Sequence, residues 1–121
     1  MKVPRRGEIY FMDFSPATGV EMRGPHPALV IQNDVGNQVS GLTIVAAITS
    51  NLRVADLPVG VRLLPIESGL PRESAVHLGH IYSVDKKRLG DLVGQLPPSK
   101  MALVDEAIQV SLGLKPFTLR S

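Results

Sequence analysis

The chain has 121 residues, 44% hydrophobic and 20% charged, with a net charge of +2, a balance that fits one globular domain over 1–121 and excludes a disordered chain. It contains no cysteine, which removes disulfides, thiol nucleophiles, iron–sulfur clusters and cysteine–zinc sites together. The small charge permits nucleic acid as a partner without a cationic coat, and Tyr10, Phe11, Phe14, Tyr82 and Phe117 are too few for a base-stacking sheet.

In chain order, residues 7–13 mix β-branched and aromatic types and close on Ser15-Pro16, so they read as a first strand. Residues 14–26 form a loop long enough to suggest function. Pro27 to Gln32 and Leu42 to Thr49 read as central strands, because their near-continuous apolar runs call for burial on both faces, and Asn33 to Asn37 read as the turn between them. Further strands are expected over 59–64 and 74–82, with a polar turn holding Gly69 and Pro71 between them. Asp85 can cap a short helical turn over 86–89, and 92–96 can add a small strand ended by Pro97-Pro98. Ser99 is the expected N-cap of a terminal helix over 99–112, with Gly113 at its end. The expected architecture is α+β, mainly β: a twisted antiparallel sheet or small open barrel packed against the C-terminal helix.

The longest apolar stretch, near 44–48, is too short to span a bilayer. The basic N-terminus lacks the apolar segment of a secretory signal, so a cytoplasmic setting is expected. Phosphate loops, dinucleotide fingerprints, serine elbows and zincin helices are all absent. Attention therefore falls on His26, His77 and His80, since imidazole titrates near neutrality. His26 lies at the end of the long loop between two prolines that stiffen its backbone, a good mounting for a reactive side chain. Regular alternation would send His77 and His80 to opposite faces, against a shared metal, although a bulge at Gly79 could bring them together. For His77 a half-buried packing role and a substrate-facing role both stand.

Several segments together resemble the MazF/PemK/Kid endoribonuclease toxins of bacterial toxin–antitoxin systems. They are Arg6 to Asp13 with Ser15-Pro16, Gly19-Val20-Glu21, Pro27 to Asp34, Ile44 to Ser50, Leu57-Pro58, Arg72-Glu73-Ser74, Ser83 to Leu89, and Val104 to Ile108. The resemblance implies an SH3-like twisted barrel, a homodimer, a cognate antitoxin, and cleavage of single-stranded RNA at short motifs with neither metal nor cofactor. Such chemistry uses the RNA 2′-hydroxyl as nucleophile, and needs a base, an acid and donors to the phosphorane.

The loop motif of the family ends in Arg-Pro and that arginine is catalytic, whereas this chain has His26-Pro27. A family glutamine position near the end of the fifth strand is likewise His80. Either imidazole has taken over acid–base work, or the site is impaired and the protein only binds antitoxin or RNA. On the first reading His26 is acid or base, His80 is its counterpart or a phosphate donor, and Thr49 donates its hydroxyl to the phosphorane. Arg23 could restore the missing positive charge, against the alternative of an exposed surface arginine. Glu21, Met22, Leu57 and Pro58 match residues lining the RNA groove, and Ser50 and Asn51 flank Thr49. His77 joins this RNA-binding set. A gyrase-inhibitor-type toxin is the reading from another class, but those poisons act through C-terminal helix residues with a terminal aromatic, whereas this sequence runs Lys115 to Ser121 and carries the ribonuclease-like loop and Ile48-Thr49-Ser50 strand end.

Overall fold

A computed structural model describes residues 3–14 and 24–118. Among them six strands form one sheet: β1 (Glu8–Asp13), β2 (Pro25–Val30), β3 (Leu42–Thr49), β4 (Gly60–Leu63), β5 (Ser74–Asp85) and β6 (Leu89–Gln95). The helices are α1 (Asp34–Val39), α2 (Pro65–Ser68) and α3 (Pro98–Ser111), with 3-10 turns at Leu52–Asp56 and Lys86–Arg88. The spatial order is β4-β5-β3-β2-β1-β6, antiparallel at every pairing. This is the expected α+β, mainly β architecture, with the sheet open rather than closed. On the open side α2 packs on β6 backbone to backbone, since a Cβ on Gly94 would stand 2.3 Å from the Ser68 carbonyl oxygen.

The apolar runs of β2 and β3 do bury both faces. Ile9, Leu29, Ala46, Ile48, Val76 and Leu78 lie on one side with Val104 and Ala107 of α3. Tyr10, Met12, Ala28, Val30, Val45 and Ala47 lie on the other with Phe14, Val84 and Leu89. In β1, β2 and β3, period-two alternation sorts residues between the two clusters, so parity there fixes a residue's face.

The segment read as a turn, Asn33 to Asn37, is instead the start of α1. Asn33 caps it by accepting from the Gly36 N–H (2.8 Å). Asn37 is fully buried and acts as a hub: its Oδ1 accepts from Thr43 Oγ1 (2.7 Å) and Gln32 Nε2 (3.0 Å), and its Nδ2 donates to the Gln32 carbonyl (3.0 Å). The Lys86 ammonium, itself buried, donates to the Asn37 main-chain carbonyl at the end of this short helix. Turn-type residues here satisfy backbone groups at a helix end, which propensity alone reads as a loop.

Other boundaries shift for identifiable reasons. β2 starts at Pro25, so His26 is a strand residue rather than the last residue of a loop. β5 continues to Asp85, whose carboxylate caps the following 3-10 turn through the Lys87 N–H (2.8 Å). The small strand expected at 92–96 is the longer β6, paired along β1. The polar turn after β4 contains α2. Helix α3 begins at Pro98 with Pro97 as N-cap, so Ser99 does not cap it; proline at the first helical position has φ already suited to the helix and no N–H to satisfy. Gly113 (φ +78°) ends α3 as expected, with the Leu114 N–H reaching the Gln109 carbonyl (2.7 Å) and the Gly113 N–H the Val110 carbonyl (3.1 Å). No helix among the described residues is long and apolar enough to cross a membrane.

Candidate active site

His26 pairs with Met12 across β1, and Ala28 pairs with Ala47 across β3. Extending that register by two residues sets His26 opposite Thr49, with both side chains on the face of Ala28 and Ala47. The His26 ring meets Phe14 edge-on (centroids 6.2 Å apart), and Phe14 meets Tyr82 in the same way (5.1 Å). Phe14 therefore stands between the imidazole and Tyr82. Thr49 is half-buried, and its Oγ1 accepts the Asn51 N–H (3.1 Å), which leaves the hydroxyl proton available to another acceptor. Asn51 turns its own side chain to the Arg53 N–H (3.2 Å), capping the 3-10 turn that carries the chain away from β3.

The other two histidines owe their position to a break in β5. Ala46 pairs with Ile81 but the next residue, Ala47, pairs with His77, so Leu78-Gly79-His80 is extra chain. This bulge overturns the alternation that would have separated the histidines: their rings stack at 4.2 Å with an interplanar angle of 18°. Gly79 is needed there, since a Cβ would fall 2.6 Å from His77 Cε1. The Gly79 N–H donates to His77 Nδ1 (2.9 Å), so in the neutral ring the proton sits on Nε2. Burial, with the neighbouring His80 ring adding to it, pushes the His77 pKa below the ordinary histidine value. His80 Nδ1 is buried and has no hydrogen-bond partner. Parallel stacking does not converge the ring nitrogens on one point, and the described residues hold no cluster of three potential ligands.

At the end of the sheet lies a cleft of about 180 Å³ to which His26, Thr49 and Ser50 contribute, together with Phe11, Pro27, Ile48, Leu70 and Arg72. His77 and His80 do not line it; their ring contact is with one another. Leu57 and Pro58 lie elsewhere again. Leu57 closes the 3-10 turn through its N–H to the Val54 carbonyl (3.1 Å), and Pro58 lines a groove of about 440 Å³ between β4 and α3. Glu21, Met22 and Arg23 fall outside the described residues. Asp85 caps its turn as expected, and Arg88 donates to the Asp13 carbonyl (2.6 Å). The sequence reading missed Arg72 and Phe11 as cleft residues, although both lie in segments that carried the resemblance; nothing local marks them until the α2–β5 connection is seen to reach the ends of β2 and β3.

The fold is that of a small toxin of a toxin–antitoxin system. The sequence profile of the PemK-like, MazF-like toxins of type II toxin–antitoxin systems matches residues 5–112, and the chain belongs to this family. Endoribonuclease EndoA of Bacillus subtilis (strain 168) is 44% identical over 95% of this chain and 99% of its own length. Endoribonuclease MazF of Staphylococcus epidermidis is 42% identical over 93% and 94% of the two chains. Among solved structures, MazF from Deinococcus radiodurans superposes with a TM-score of 0.78 at 28% identity, covering 93% of this chain and 99% of the other. An endoribonuclease in complex with its cognate antitoxin from mycobacterial species gives 0.78 at 26% identity, covering 93% and 97%.

Proposed function

We propose that this chain is an endoribonuclease toxin that cuts single-stranded RNA at short sequence motifs without a metal or cofactor. It acts in the cytoplasm as a homodimer and is silenced by a cognate antitoxin. The observation that carries the reading is that His26 and Thr49 line one cleft at the end of the sheet, in a chain 42–44% identical to named endoribonucleases.

The chemistry is an internal displacement. A base takes the 2′-hydroxyl proton, the O2′–P bond forms, the P–O5′ bond breaks, and an acid protonates the departing 5′-oxygen. The products are a 2′,3′-cyclic phosphate and a 5′-hydroxyl. His26 serves as one of the two proton carriers, and Thr49, with its hydroxyl proton uncommitted, donates to a phosphorane oxygen. His80 is assigned the complementary proton or phosphate contact. His77 supports His80 by stacking and by presenting its Nε2–H. An imidazole at position 26 does this work in a way guanidinium cannot, because guanidinium holds its proton to pH above about 12. Ser50 and Asn51 hold RNA beside Thr49; Glu21, Met22 and Arg23 of the β1–β2 connection, and Leu57 and Pro58, are assigned to more distant nucleotides.

The test is incubation of purified, antitoxin-free protein with a long single-stranded RNA in excess EDTA, with cut sites and end groups mapped. Discrete cuts leaving cyclic phosphate and 5′-hydroxyl ends are expected. Intact RNA, or cuts that need added divalent metal, would refute the reading.

A further inference from the structure

We propose that Phe14 is a positioning residue for the cut: its ring, backed by Tyr82, holds the His26 imidazole in one orientation and leaves both ring nitrogens to the RNA. This rests on the endoribonuclease reading of His26. The seat for the ring comes from two alanines. Ala28 of β2 pairs with Ala47 of β3, and one step of alternation further along, Val45 pairs with Val30 on one side and Tyr82 on the other. His26 lies one step the other way, so the row between His26 and Tyr82 presents two single methyl groups side by side. Side chains that small leave a hollow in the sheet face, and Phe14 is buried in the same cluster as Ala28 and Ala47. From there it meets His26 with centroids 6.2 Å apart and planes at 71°, and Tyr82 at 5.1 Å and 69°. Both contacts lie within the spacing of edge-on aromatic pairs, about 4.5–7 Å, and each favours one ring orientation by about two- to tenfold.

The backbone fixes the root of the ring as well. The Phe14 N–H donates to the Gly24 carbonyl (2.8 Å), two residues before His26, so Phe14 and His26 are tied to one neck where the β1–β2 connection leaves the sheet. Pro25 and Pro27 restrict the backbone on either side of His26, which leaves its side-chain torsions as the main freedom, and these are what the Phe14 ring bears on. A general base is commonly oriented by a hydrogen bond to a third group. Among the described residues His26 has no such bond, and the aromatic contact takes its place. Because ring-on-ring contact consumes neither donor nor acceptor, the imidazole is held while Nδ1 and Nε2 stay open to the 2′-hydroxyl or the departing 5′-oxygen.

Two measurements separate this proposal from the activity it rests on. In the first, the ring C–H resonances of His26 in the intact protein are compared between wild type and Phe14→Leu, with His77 and His80 as internal references; leucine is chosen because it keeps the hollow filled. The His26 signals are expected to carry a ring-current shift that leucine abolishes while the other two histidines stay in place, and unchanged His26 signals would overturn the proposal. In the second, RNA cleavage is measured in excess EDTA. Phe14→Leu is expected to lower kcat about tenfold or more with KM changed less than about twofold. Tyr82→Leu should act in the same direction, and Tyr82→Phe, which keeps the ring, should cut at the wild-type rate. In the His26→Ala background Phe14→Leu should have no further effect on the residual rate. A further loss as large as in wild type would overturn the proposal, since Phe14 would then be acting on the fold and not through the imidazole. A wild type that cuts no RNA would refute the endoribonuclease reading, and the ring resonances would still decide whether Phe14 holds His26.

Discussion

Replacing Asn37 with alanine tests whether the hub beneath α1 supports the sheet as its hydrogen bonds imply. The substitution removes the one hydrogen-bond partner that the described residues give the Thr43 hydroxyl, which is 0% exposed, and an unsatisfied buried hydroxyl costs about 1–3 kcal/mol. It also removes the donor to the Gln32 carbonyl, which is half-buried and so loses about 1 kcal/mol. Alanine recovers about 0.5 kcal/mol in helix propensity. The expected net loss is therefore about 1.5–3.5 kcal/mol, a large part of the 5–15 kcal/mol typical of a domain. Urea unfolding followed by far-ultraviolet circular dichroism measures it. Thr43→Val in the Asn37→Ala background should cost about 1 kcal/mol less than it does alone, because the orphaned hydroxyl is gone. A loss below about 0.5 kcal/mol, or strict additivity of the two substitutions, would refute the hub.

The lowered His77 pKa makes a signed prediction. Below the ordinary histidine range the unfolded chain binds the extra proton and the native state resists it, so stability is fully present above about pH 7 and declines as pH falls through 6.5 toward the folded value. Melting curves between pH 5 and 7 should slope accordingly, and His77→Gln should flatten the slope; an unchanged slope contradicts the assignment. Gly79→Ala places a Cβ 2.6 Å from the His77 ring, which displaces the ring and breaks its stack with His80. Cleavage should fall about tenfold or more with a stability loss of only about 1–2 kcal/mol, whereas wild-type cleavage would show that the stacked pair has no part in the reaction. Gly94→Ala, by contrast, drives a Cβ against the Ser68 carbonyl and should cost more than about 2 kcal/mol with little effect on cutting by the remaining folded protein; a stable variant would show that α2 does not seal the open side of the sheet.

The strands and the terminal helix were legible in the sequence because their burial is periodic. Continuous apolar runs at 27–32 and 42–49 marked β2 and β3 as covered on both faces, and the mix of β-branched and aromatic residues over 7–13, closed by Ser15-Pro16, marked β1. What was hidden depends on contacts that composition does not show. Asn33 to Asn37 has turn composition, yet the Asn33 cap on the Gly36 N–H and the backbone bonds from Asn37 to Asn33 and from Ser40 to Gly36 make it a helix. The stacking of His77 on His80 follows from chain inserted opposite Ala46 and Ala47, which Gly79 hinted at but a period-two reading denied. For the site, the position of His26 beside Thr49 follows once β2 and β3 pair. Arg72 and Phe11 could not be joined to it from sequence, since they reach the same cleft from opposite ends of the sheet order through a loop whose path the sequence does not encode locally.

The most direct test of the account is the rate of RNA cleavage, in excess EDTA, by wild type beside His26→Ala and His26→Arg. The account predicts metal-independent cutting by wild type and a loss of about 10²–10⁴-fold in the alanine variant, the range contributed by a positioned acid or base. Alanine cutting at the wild-type rate, or a silent wild type with activity appearing only in the arginine variant, would contradict the claim that the imidazole at position 26 carries the chemistry.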